Sequence, residues 1–563
     1  MSTECYPIAT LPHITRLYRD YLAMGDGGAS HSGTASSPLR GWYGAEPLGS
    51  AWMRPAAASD HAIALADALH RQSLEFGAGP AALANVAKLR GGARAVVTGQ
   101  QVGLFGGPLL TILKAATAVA RARQATAASG VDHVPIFWLA SEDHDIEEVD
   151  QVSLLTKTAI ETLQLGHPRH ATAPVGSVEF GPQVDGLLDR AGELLNHAPI
   201  CDLLRECYAY QPEKGYRKTF GGAFARMMAR LFAEHGLIVM DAAGRDFHAL
   251  GARALRAAIE HADELEATLH TRSTELESAG YHAQVLVKPG ASLLFLVNDV
   301  GGTQDRQPLR RLADGTWKTG AGASALTYTT PGLLTILDAA PERLSPNALL
   351  RPVFQDAILP TTAYVGGPAE VAYFAQSAVL YQRILGRITP ILPRLSATLL
   401  EPEIAAVMDV HEVSLGDVLQ ARTAEELAQR LGARAMPIEG KRRIAAAGTA
   451  MDDALKAAED YLATLDPALG RSAEVSGSKM RYQMNRLRRL AATFELQREA
   501  SLRKHADAMV LHLFPEGHPQ ERVVAGIWYL AAWEAAHGDR NGLIARLVEE
   551  AAGQCPGHMA VRM

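Results

Sequence analysis

Cysteine is scarce in this chain of 563 residues, which has only Cys5, Cys201, Cys207 and Cys555. These residues are too few and too scattered for a disulfide framework, and no Cys-x-x-Cys pair indicates a zinc site. The N-terminus lacks a basic segment followed by an apolar one, and no run of about 18 apolar residues, long enough to span a bilayer, occurs. These absences predict free thiols in a reducing compartment, a cytoplasmic location and no membrane partner.

An excess of positive charge is also lacking, since the net charge is -7 and the pI is about 6.3. Proteins that coat nucleic acid or an anionic membrane need a concentrated basic face, so the balance argues against both classes. This charge balance is more typical of a protein that binds a small molecule than of either class. With 48% hydrophobic residues the chain can bury a large core, and its length predicts two to four domains.

Short apolar runs bounded by turn residues predict the strands of a buried sheet. They lie at 95–97, 134–139, 237–240 and 362–365. Runs of this kind are typical of parallel strands that are covered on both faces, and helical patterns at 108–125, 245–279 and 369–385 follow several of them. The predicted fold class is therefore α/β, with a Rossmann-like doubly wound parallel core.

The domain organisation follows from changes in this pattern along the chain. We predict an N-terminal helical segment at 1–90, with helices at 11–23 and 57–90 around a loop at 25–50, and a core at 91–400. Segments at about 146–235 and 280–350 are longer than ordinary crossovers and are predicted to be inserted subdomains. The second contains an apolar run and Gly/Asp turns at 298–302 and 314–315, which indicate a small antiparallel sheet.

Residues 401–563 form a predicted C-terminal helical region. Apolar residues recur every three or four positions over about 445–512, which predicts a coiled-coil hairpin. Asp466, Pro467 and Gly470 interrupt the pattern and mark its turn. After Phe514 the sequence returns to apolar helix, which we expect to dock on the core.

Polar loops follow the predicted strands, where an open parallel sheet places its ligand crevice. After the first strand come Thr98, Gln100, Gln101, Gly106 and Gly107. Glycines let the backbone approach a ligand, and the N-terminus of the next helix offers N–H groups and a positive dipole to an anion. Glutamine side chains can donate and accept hydrogen bonds. Together these features favour substrate binding over a plain tight turn.

The second loop places Glu142, Asp143, His144 and Asp145 at the end of the most apolar strand. Crowded carboxylates beside an imidazole shift pKa values, which prepares groups for proton transfer. Consecutive residues of an extended segment point to alternate sides, which disfavours a metal site. Asp145 could instead cap the next helix. We predict Asp143, His144 and Glu142 as catalytic residues, and Asp145 as a substrate-binding residue.

The third loop repeats the Gly-Gly-Pro helix start of the first. Two arginines near it, Arg351 and Arg394, suit bidentate contacts with a carboxylate or phosphate group, although each could instead form a structural salt bridge. The substrate-binding residues predicted from this part of the chain are Asn347, Arg351, Gly366, Gly367, Glu370, Tyr373 and Arg394.

Several of these runs resemble a known family, the bacillithiol biosynthesis cysteine-adding enzyme BshC. The similar segments are 97–108, 135–145, 344–352 and 366–373, joined by 393–396, 513–515 and 520–522. The resemblance extends from about residue 90 to 550. It implies a ligase that adds cysteine to the amine of glucosaminyl malate, the last step of bacillithiol biosynthesis. It also implies a Rossmann-like core, connective insertions and a C-terminal coiled coil that forms a homodimer.

Making an amide from a carboxylic acid and an amine in water is uphill, so the carboxyl group must be activated, normally with ATP. The chain has no P-loop and no His-x-Gly-His signature, so the residues leave the activating cofactor open. ATP, with Mg²⁺ only as its companion, is the expected candidate. Our hypothesis is that Asp143 or His144 takes a proton from the amine. Gln100, Gln101 and Asn347 would orient the substrate. Arg351 and Arg394 would bind anionic groups.

Two alternatives belong to other classes. One is a metal-dependent hydrolase or deacetylase of an amino-sugar conjugate, which would use the same carboxylates with a bound metal. The other is a non-catalytic coiled-coil scaffold. Charged and amide side chains gathered at strand ends argue against the scaffold, which gains nothing from keeping them together.

Overall fold

The computed structural model describes residues 3–24, 38–166, 172–211, 218–300, 303–320 and 325–563. It contains two compact units. The core unit comprises residues 3–398 and 521–561, and the helical unit comprises 399–520 with 562–563. None of the helices in these ranges is long and apolar enough to cross a membrane.

A five-stranded parallel sheet forms the centre of the core unit. In chain order its strands are Arg94–Gln100, His133–Leu139, Ile238–Asp241, Thr361–Gly366 and Ile391–Pro393, called here the first to fifth core strands. Their spatial order is fifth, fourth, first, second, third, and every pair is parallel. This confirms the Rossmann-like prediction. The strand order reverses between the first and fourth strands, where doubly wound folds bind ligands.

The second core strand shows why these residues form a central strand. All seven residues of His133–Leu139 are buried, because helices cover both faces of the sheet. Helix Leu110–Ser129 covers one face, and its Ala118 and Ala122 pack in one cluster with Val96 of the first strand. Small alanines allow the helix to approach the sheet closely.

The remaining helices of the core unit surround this sheet and fill its connections. In chain order they are Arg16–Ala23, Leu39–Trp42, Ala62–Glu75, Pro80–Arg90, Ile146–Val149, Gln183–Leu195, Ala198–Tyr208, Phe220–Leu231, Arg245–Glu260, Ala262–Ser278, Thr330–Ala339, Arg351–Ile358, Pro368–Leu385, Gln520–Val523, Gly526–His537 and Arg540–Ala552. The last two follow Phe514, as predicted, and Arg540–Ala552 packs against Leu110–Ser129.

The two inserted segments have their own sheets. Within the first, Gln151–Leu155 and Ile160–Gln164 form a hairpin. The second is built on a five-stranded antiparallel sheet, as predicted. Its order is Leu326–Tyr328, Trp317–Thr319, Thr303–Arg311, Ala291–Val300 and Leu344–Pro346. Of the predicted turn at 298–302, Gly301 and Gly302 lie outside the described residues.

The N-terminal segment differs from its prediction in three places. The helix predicted at 57–90 is two helices, because Gly77 has a φ of 69° and Pro80 begins the second one. The loop predicted at 25–50 contains the short helix Leu39–Trp42, and its residues 25–37 lie outside the described ranges. Glu4–Pro7 is a strand that pairs antiparallel with Gly557–Arg562, in a sheet completed by Ala397–Leu400.

The prediction that all cysteines are free thiols is wrong for Cys5 and Cys555, which form a disulfide. They are 550 positions apart in sequence, but the terminal strands that carry or follow them are neighbours in one sheet. Spacing along the chain could not show this proximity. Cys201 and Cys207 are free, and burial raises the pKa of the Cys207 thiol to about 12.

The helical unit contains the helices Pro402–Val410, Leu415–Ala421, Ala424–Ala435, Ile438–Leu465, Pro467–Arg498 and Ala500–Leu513. Ile438–Leu465 and Pro467–Arg498 form the predicted hairpin. Asp466 caps the second of these by accepting hydrogen bonds from the N–H groups of Ala468 and Leu469. The hairpin ends at Arg498, and Ala500–Leu513 is a separate helix.

Gly470 does not interrupt the hairpin, contrary to its prediction. It lies inside Pro467–Arg498, where an added Cβ would come within 2.9 Å of the Ala463 Cβ. Glycine is therefore required here for close packing of the two helices, since any side chain would push them apart.

Candidate active site

A cavity of about 380 Å³ lies at the reversal point between the first and fourth core strands. Its lining includes eight of the predicted site residues: Gln100, Gln101, Asp143, Arg351, Gly367, Glu370, Tyr373 and Arg394. Lys114, Tyr364 and Arg522 line it as well and were not predicted. The structure thus brings together residues that follow four of the core strands, with Arg522 from a helix near the C-terminus.

Lys114 and Glu370 form a buried ion pair inside this cavity, with 2.6 Å between Nζ and Oε2. Lys114 Nζ also donates to the Gly99 carbonyl at 2.8 Å and to Gln100 Oε1 at 2.9 Å. Burial lowers the pKa of Lys114, and the charge of Glu370 only partly opposes this. Burial would raise the pKa of Glu370, but Lys114 and hydrogen bonds outweigh it and lower this pKa. The 2.6 Å contact with Glu370 and the two further acceptors match the geometry of an ammonium group beside a carboxylate.

Glu370 also closes the N-terminus of its own helix. It accepts hydrogen bonds from the Gly367 N–H at 2.7 Å and from the Tyr364 hydroxyl at 2.6 Å. A helix N-terminus binds an anion through free N–H groups, and here the anion is the protein's own carboxylate. At the predicted anion cradle of Gly366 and Gly367, the Gly367 N–H is therefore already bound.

At the helix that follows the first loop, Leu110–Ser129, the N-terminal backbone groups are hydrogen-bonded to another segment of the chain. The Leu109 N–H donates to the Val524 carbonyl at 2.9 Å, and Gly526 N–H donates to the Gly107 carbonyl at 3.2 Å. Gly106 and Gly107 have φ values of 88° and 69° and do not line the cavity. These glycines permit a tight turn that a Cβ would strain, and Gly106 also packs directly on Met227.

Arg351 places a positive charge at the cavity lining. Its guanidinium donates to the Tyr373 hydroxyl at 2.8 Å and to Gln355 Oε1 at 3.3 Å, both of which are neutral. Arg522 lies exposed at the cavity lining and makes no hydrogen bond or ion pair within the described residues. Among the described residues, neither Arg351 nor Arg522 has a carboxylate partner. Two cationic groups are thus free to meet an anionic ligand.

Arg394 lines the same cavity but is already paired. Its guanidinium forms two hydrogen bonds with the Glu521 carboxylate, at 2.5 and 3.0 Å. Arg394 thus forms a structural salt bridge, which was one of the two roles predicted for it. Arg394 therefore adds little free charge to the cavity, although its side chain forms part of the wall.

Asp143 is the acidic side chain of the second loop that reaches the cavity. Its Oδ2 accepts a hydrogen bond from Gln101 Nε2 at 2.9 Å, and its Oδ1 accepts one from the His144 N–H at 2.8 Å. The side chain is 40% exposed. An oriented, accessible carboxylate can accept a proton from a bound nucleophile.

Glu142 turns away toward a buried cluster. Its Oε1 lies 3.3 Å from Nε2 of His248, whose side chain is completely buried. Burial would raise the pKa of Glu142, but the nearby charges of His248 and Arg306 and the Ser345 hydroxyl lower it. Among the described residues no three side chains of His, Cys, Asp or Glu gather as a metal site. The contacts of Glu142 favour a structural role over the predicted catalytic one.

His144 lies beside the cavity lining, and an arginine determines its hydrogen-bonding state. Arg306 comes from the antiparallel sheet and approaches His144 Nδ1 at 3.2 Å through one guanidinium nitrogen. Arginine can only donate, so Nδ1 must accept and the ring proton must sit on Nε2. In this contact Nε2 carries the ring N–H, and Nδ1, which also lies 3.8 Å from Asp143 Oδ1, is not free to take a proton from a substrate.

The other predicted residues have mainly structural contacts. The Thr98 hydroxyl is buried and donates to the Val365 carbonyl at 2.9 Å, which ties the first strand to the fourth. Asn347 Oδ1 accepts from the Leu349 and Leu350 N–H groups at 3.0 Å, just before helix Arg351–Ile358. Asp145 precedes the helix Ile146–Val149, but its side chain makes no capping hydrogen bond. These residues lie outside the cavity lining.

One sequence signal could have identified Lys114. It is the single charged residue in the run 109–120, which is otherwise apolar or small apart from threonine. A lone lysine in a buried helical face is usually paired. Arg522, Arg306 and His248 carry no comparable signal, because their positions near the strand ends depend on contacts between distant segments.

Comparison with known proteins gives two family matches. Residues 48–395 match the model for the bacillithiol biosynthesis BshC N-terminal Rossmann-like domain. Residues 397–539 match that for the bacillithiol biosynthesis BshC C-terminal coiled-coil domain.

Curated relatives cover most or all of the chain. A protein of Koribacter versatilis named "Putative cysteine ligase BshC" is 41% identical over 578 residues and covers 100% of each chain. Proteins of the same name from Solibacter usitatus and Chlorobaculum tepidum are 35% and 33% identical. They cover 99% and 83% of this chain, and 99% and 84% of their own.

Proposed function

Because the chain belongs to the bacillithiol biosynthesis BshC family, we propose that it joins the carboxyl group of cysteine to the amine of glucosaminyl malate. The product of this reaction is the amide bacillithiol. The relatives are named ligases, and this chain is accordingly an enzyme. The substrates, and the place of this reaction as the last step, are parts of the proposal.

The observation that carries the proposal is a pair of arginines at the cavity whose charges are not neutralised by an ion pair among the described residues. Arg351 and Arg522 line it without a carboxylate partner in the described part of the chain. Glucosaminyl malate has two carboxylates on its malate group, which these guanidinium groups can bind through charge-assisted hydrogen bonds. The remaining cations, Lys114 and Arg394, are neutralised by Glu370 and Glu521.

Asp143 is the group best placed to remove a proton from the attacking amine. It lines the cavity, it is accessible, and Gln101 holds its carboxylate in one orientation. His144 presents an N–H group and can donate a hydrogen bond to substrate. We therefore assign the proton acceptance to Asp143 and not to His144.

ATP remains the proposed co-substrate, since it supplies the leaving group that makes a carboxyl reactive toward an amine. The N–H groups of Leu109 and Gly367 are not offered to its phosphates, because Val524 and Glu370 already accept them. We assign no ATP contacts to these loops. Magnesium is expected only with the nucleotide.

A homodimer through the hairpin is also part of the proposal. Large apolar side chains on its two helices are exposed, including Tyr461, Leu465, Tyr482, Leu487 and Phe494 at 57–63%. A second copy of the chain would cover them. Sedimentation of wild type and of Leu487→Glu should show a dimer that the substitution weakens, with Arg471→Glu as the control. The expected cytoplasmic location follows from the proposed substrates.

The activity is tested with purified protein, cysteine, glucosaminyl malate and Mg²⁺-ATP, followed by mass spectrometry of the thiol and the nucleotide. Bacillithiol should form together with one equivalent of hydrolysed nucleotide. Cells that lack the protein should accumulate glucosaminyl malate and lose the thiol. Normal bacillithiol in such cells would overturn the proposal.

A further inference from the structure

Two neighbouring glutamines present opposite hydrogen-bonding groups to the cavity. Gln100 Oε1 accepts from Lys114 Nζ at 2.9 Å. A lysine ammonium group can only donate, so the oxygen of Gln100 must face it and the amide nitrogen must face away. The NH₂ group of Gln100 makes no hydrogen bond within the described residues and is not a buried unsatisfied group. It is an available donor in the cavity lining.

Gln101 has the reverse arrangement. Its Nε2 donates to Asp143 Oδ2 at 2.9 Å, and a carboxylate can only accept. The oxygen of Gln101 therefore stays available as an acceptor. Adjacent residues with the same side chain are thus differentiated by their partners, one by a cation and the other by an anion.

Lys114 holds Gln100 in this orientation. Its side chain is 5% exposed, and its three acceptors are the Gly99 carbonyl, Gln100 Oε1 and Glu370 Oε2. An ammonium group has three hydrogens, so each has one partner. A flip of the Gln100 amide would place an N–H group against the buried ammonium group and leave one of its hydrogens unsatisfied. The donor orientation is therefore strongly preferred.

We propose that the Gln100 amide is a catalytic donor to the oxyanion formed on the cysteine carboxyl group, and that Lys114 is its positioning residue. Gln101 Oε1 accepts an N–H of the attacking amine beside Asp143. This inference rests on the proposed function and deepens it, because it assigns a different part of the reaction to each glutamine.

The amine nitrogen attacks the activated carboxyl carbon, a C–N bond forms, and one C–O π electron pair moves onto the carboxyl oxygen. Gln100 stabilises that oxygen while it is negative. The C=O bond then re-forms, the leaving group supplied by ATP departs with its bonding pair, and the amine proton passes to Asp143.

The principal test is Gln100→Glu, with Gln100→Met as the uncharged second variant. Gln100→Glu keeps the length of the side chain and the oxygen that faces Lys114, but it removes the N–H donor. Both variants should lower kcat by about 100- to 1000-fold, the usual effect of removing one oxyanion donor, and change the KM for cysteine little. Gln151→Glu, at an exposed glutamine outside the cavity, should leave kcat and KM unchanged.

Lys114→Met tests the positioning role through a double-mutant cycle. If Lys114 acts through Gln100, its substitution lowers kcat markedly in the wild-type background and much less in the Gln100→Met background. Melting curves identify variants that do not fold. Unchanged kcat in both Gln100 variants, or a rise in KM alone, would overturn the inference while the proposed function stands. A wild-type protein that forms no bacillithiol would instead defeat the proposed function.

Discussion

Arg394 and Glu521 form a bidentate ion pair in the wall of the cavity, although 127 positions separate them in sequence. Both side chains are almost fully buried, with exposed fractions of 3% and 2%. Burial would raise the pKa of Glu521, but the charge and hydrogen bonds of Arg394 lower it below its ordinary value. The Ala397 N–H donates to the same carboxylate at 2.9 Å. The pair therefore joins the end of the fifth core strand to the segment that carries Arg522.

Glu521→Gln should destabilise the core unit, because it leaves the Arg394 charge buried without a counter-ion. Breaking a buried pair in this way costs about 3–5 kcal/mol. Urea unfolding, followed by tryptophan fluorescence, measures the change. Asp132→Asn removes the half-exposed pair with Lys88 and should change stability by less than about 1 kcal/mol. Equal effects of the two substitutions would contradict the structural role of Glu521.

Arg351→Met and Arg522→Met should raise the KM for glucosaminyl malate, because each removes a cavity cation that has no carboxylate partner among the described residues. A hydrogen bond to a charged group contributes about 1.5–3 kcal/mol, which corresponds to roughly 10- to 100-fold in KM. Initial rates at varied substrate concentration measure this. Arg190→Met, at an exposed arginine paired with Glu161, serves as the control. A KM that stays at the wild-type value in both variants would remove the anion site from the proposal.

Asp143→Asn should lower kcat by about 10²- to 10⁴-fold, because the amide cannot accept the proton of the amine. His144→Gln should keep most of the activity, since a glutamine N–H can replace the Nε2–H donor. Single-turnover rates of both variants separate the two roles. A loss in His144→Gln as large as that in Asp143→Asn would show that His144 is the base.

The buried pair of His248 and Glu142 predicts a defined pH dependence of stability. Burial would lower the pKa of His248, but Glu142 outweighs it and raises this pKa, whereas the pKa of Glu142 is lowered. A raised histidine pKa contributes stability that is complete below the unfolded value of about 6.5 and is lost as pH rises through the folded value. A lowered glutamate pKa contributes stability above about 4.3 that is lost as pH falls through the folded value. The pair should therefore stabilise the folded protein most between about pH 4.3 and about pH 6.5.

His248→Gln checks this dependence. The free energy of unfolding of wild type minus that of the variant, measured in urea, should be largest near pH 5–6 and should decrease toward alkaline pH. His144→Gln changes a histidine outside this buried pair and serves as the comparison. A difference that is the same at every pH would mean that the pair does not titrate as the contacts imply.

The disulfide between Cys5 and Cys555 should stabilise the terminal sheet, because it restricts the unfolded chain. Cys5→Ser should cost roughly 2–5 kcal/mol under non-reducing conditions. A reductant should lower the melting temperature of wild type and leave that of the variant unchanged. Cys201→Ser is the control, since that thiol is free. If the reductant did not change the melting temperature of wild type, the result would contradict a disulfide between Cys5 and Cys555.

The sheet itself was predictable from local pattern. Each buried core strand is a short apolar run between turn residues, and burial on both faces requires that composition whatever the rest of the chain does. The placement of polar loops at the strand ends followed directly, and Gln100, Asp143 and Glu370 do line the cavity. The antiparallel sheet of the second insertion was predictable for the same reason.

The partners of those residues were not predictable. Lys114 makes Gln100 a donor, Arg306 makes His144 a donor, and Glu521 neutralises Arg394. Each partner comes from another element, so its effect depends on distances that no local pattern contains. Local pattern also could not show that Glu370 and Val524 accept the N–H groups of Gly367 and Leu109.

The amino-acid sequence by itself determined the family, the strands and the chemical types of side chain at their ends, since these depend on composition and short-range order. The tertiary structure decided which of those side chains are free. Charge and hydrogen-bonding capacity belong to a residue, but their availability to a substrate depends on whether another part of the protein already satisfies them.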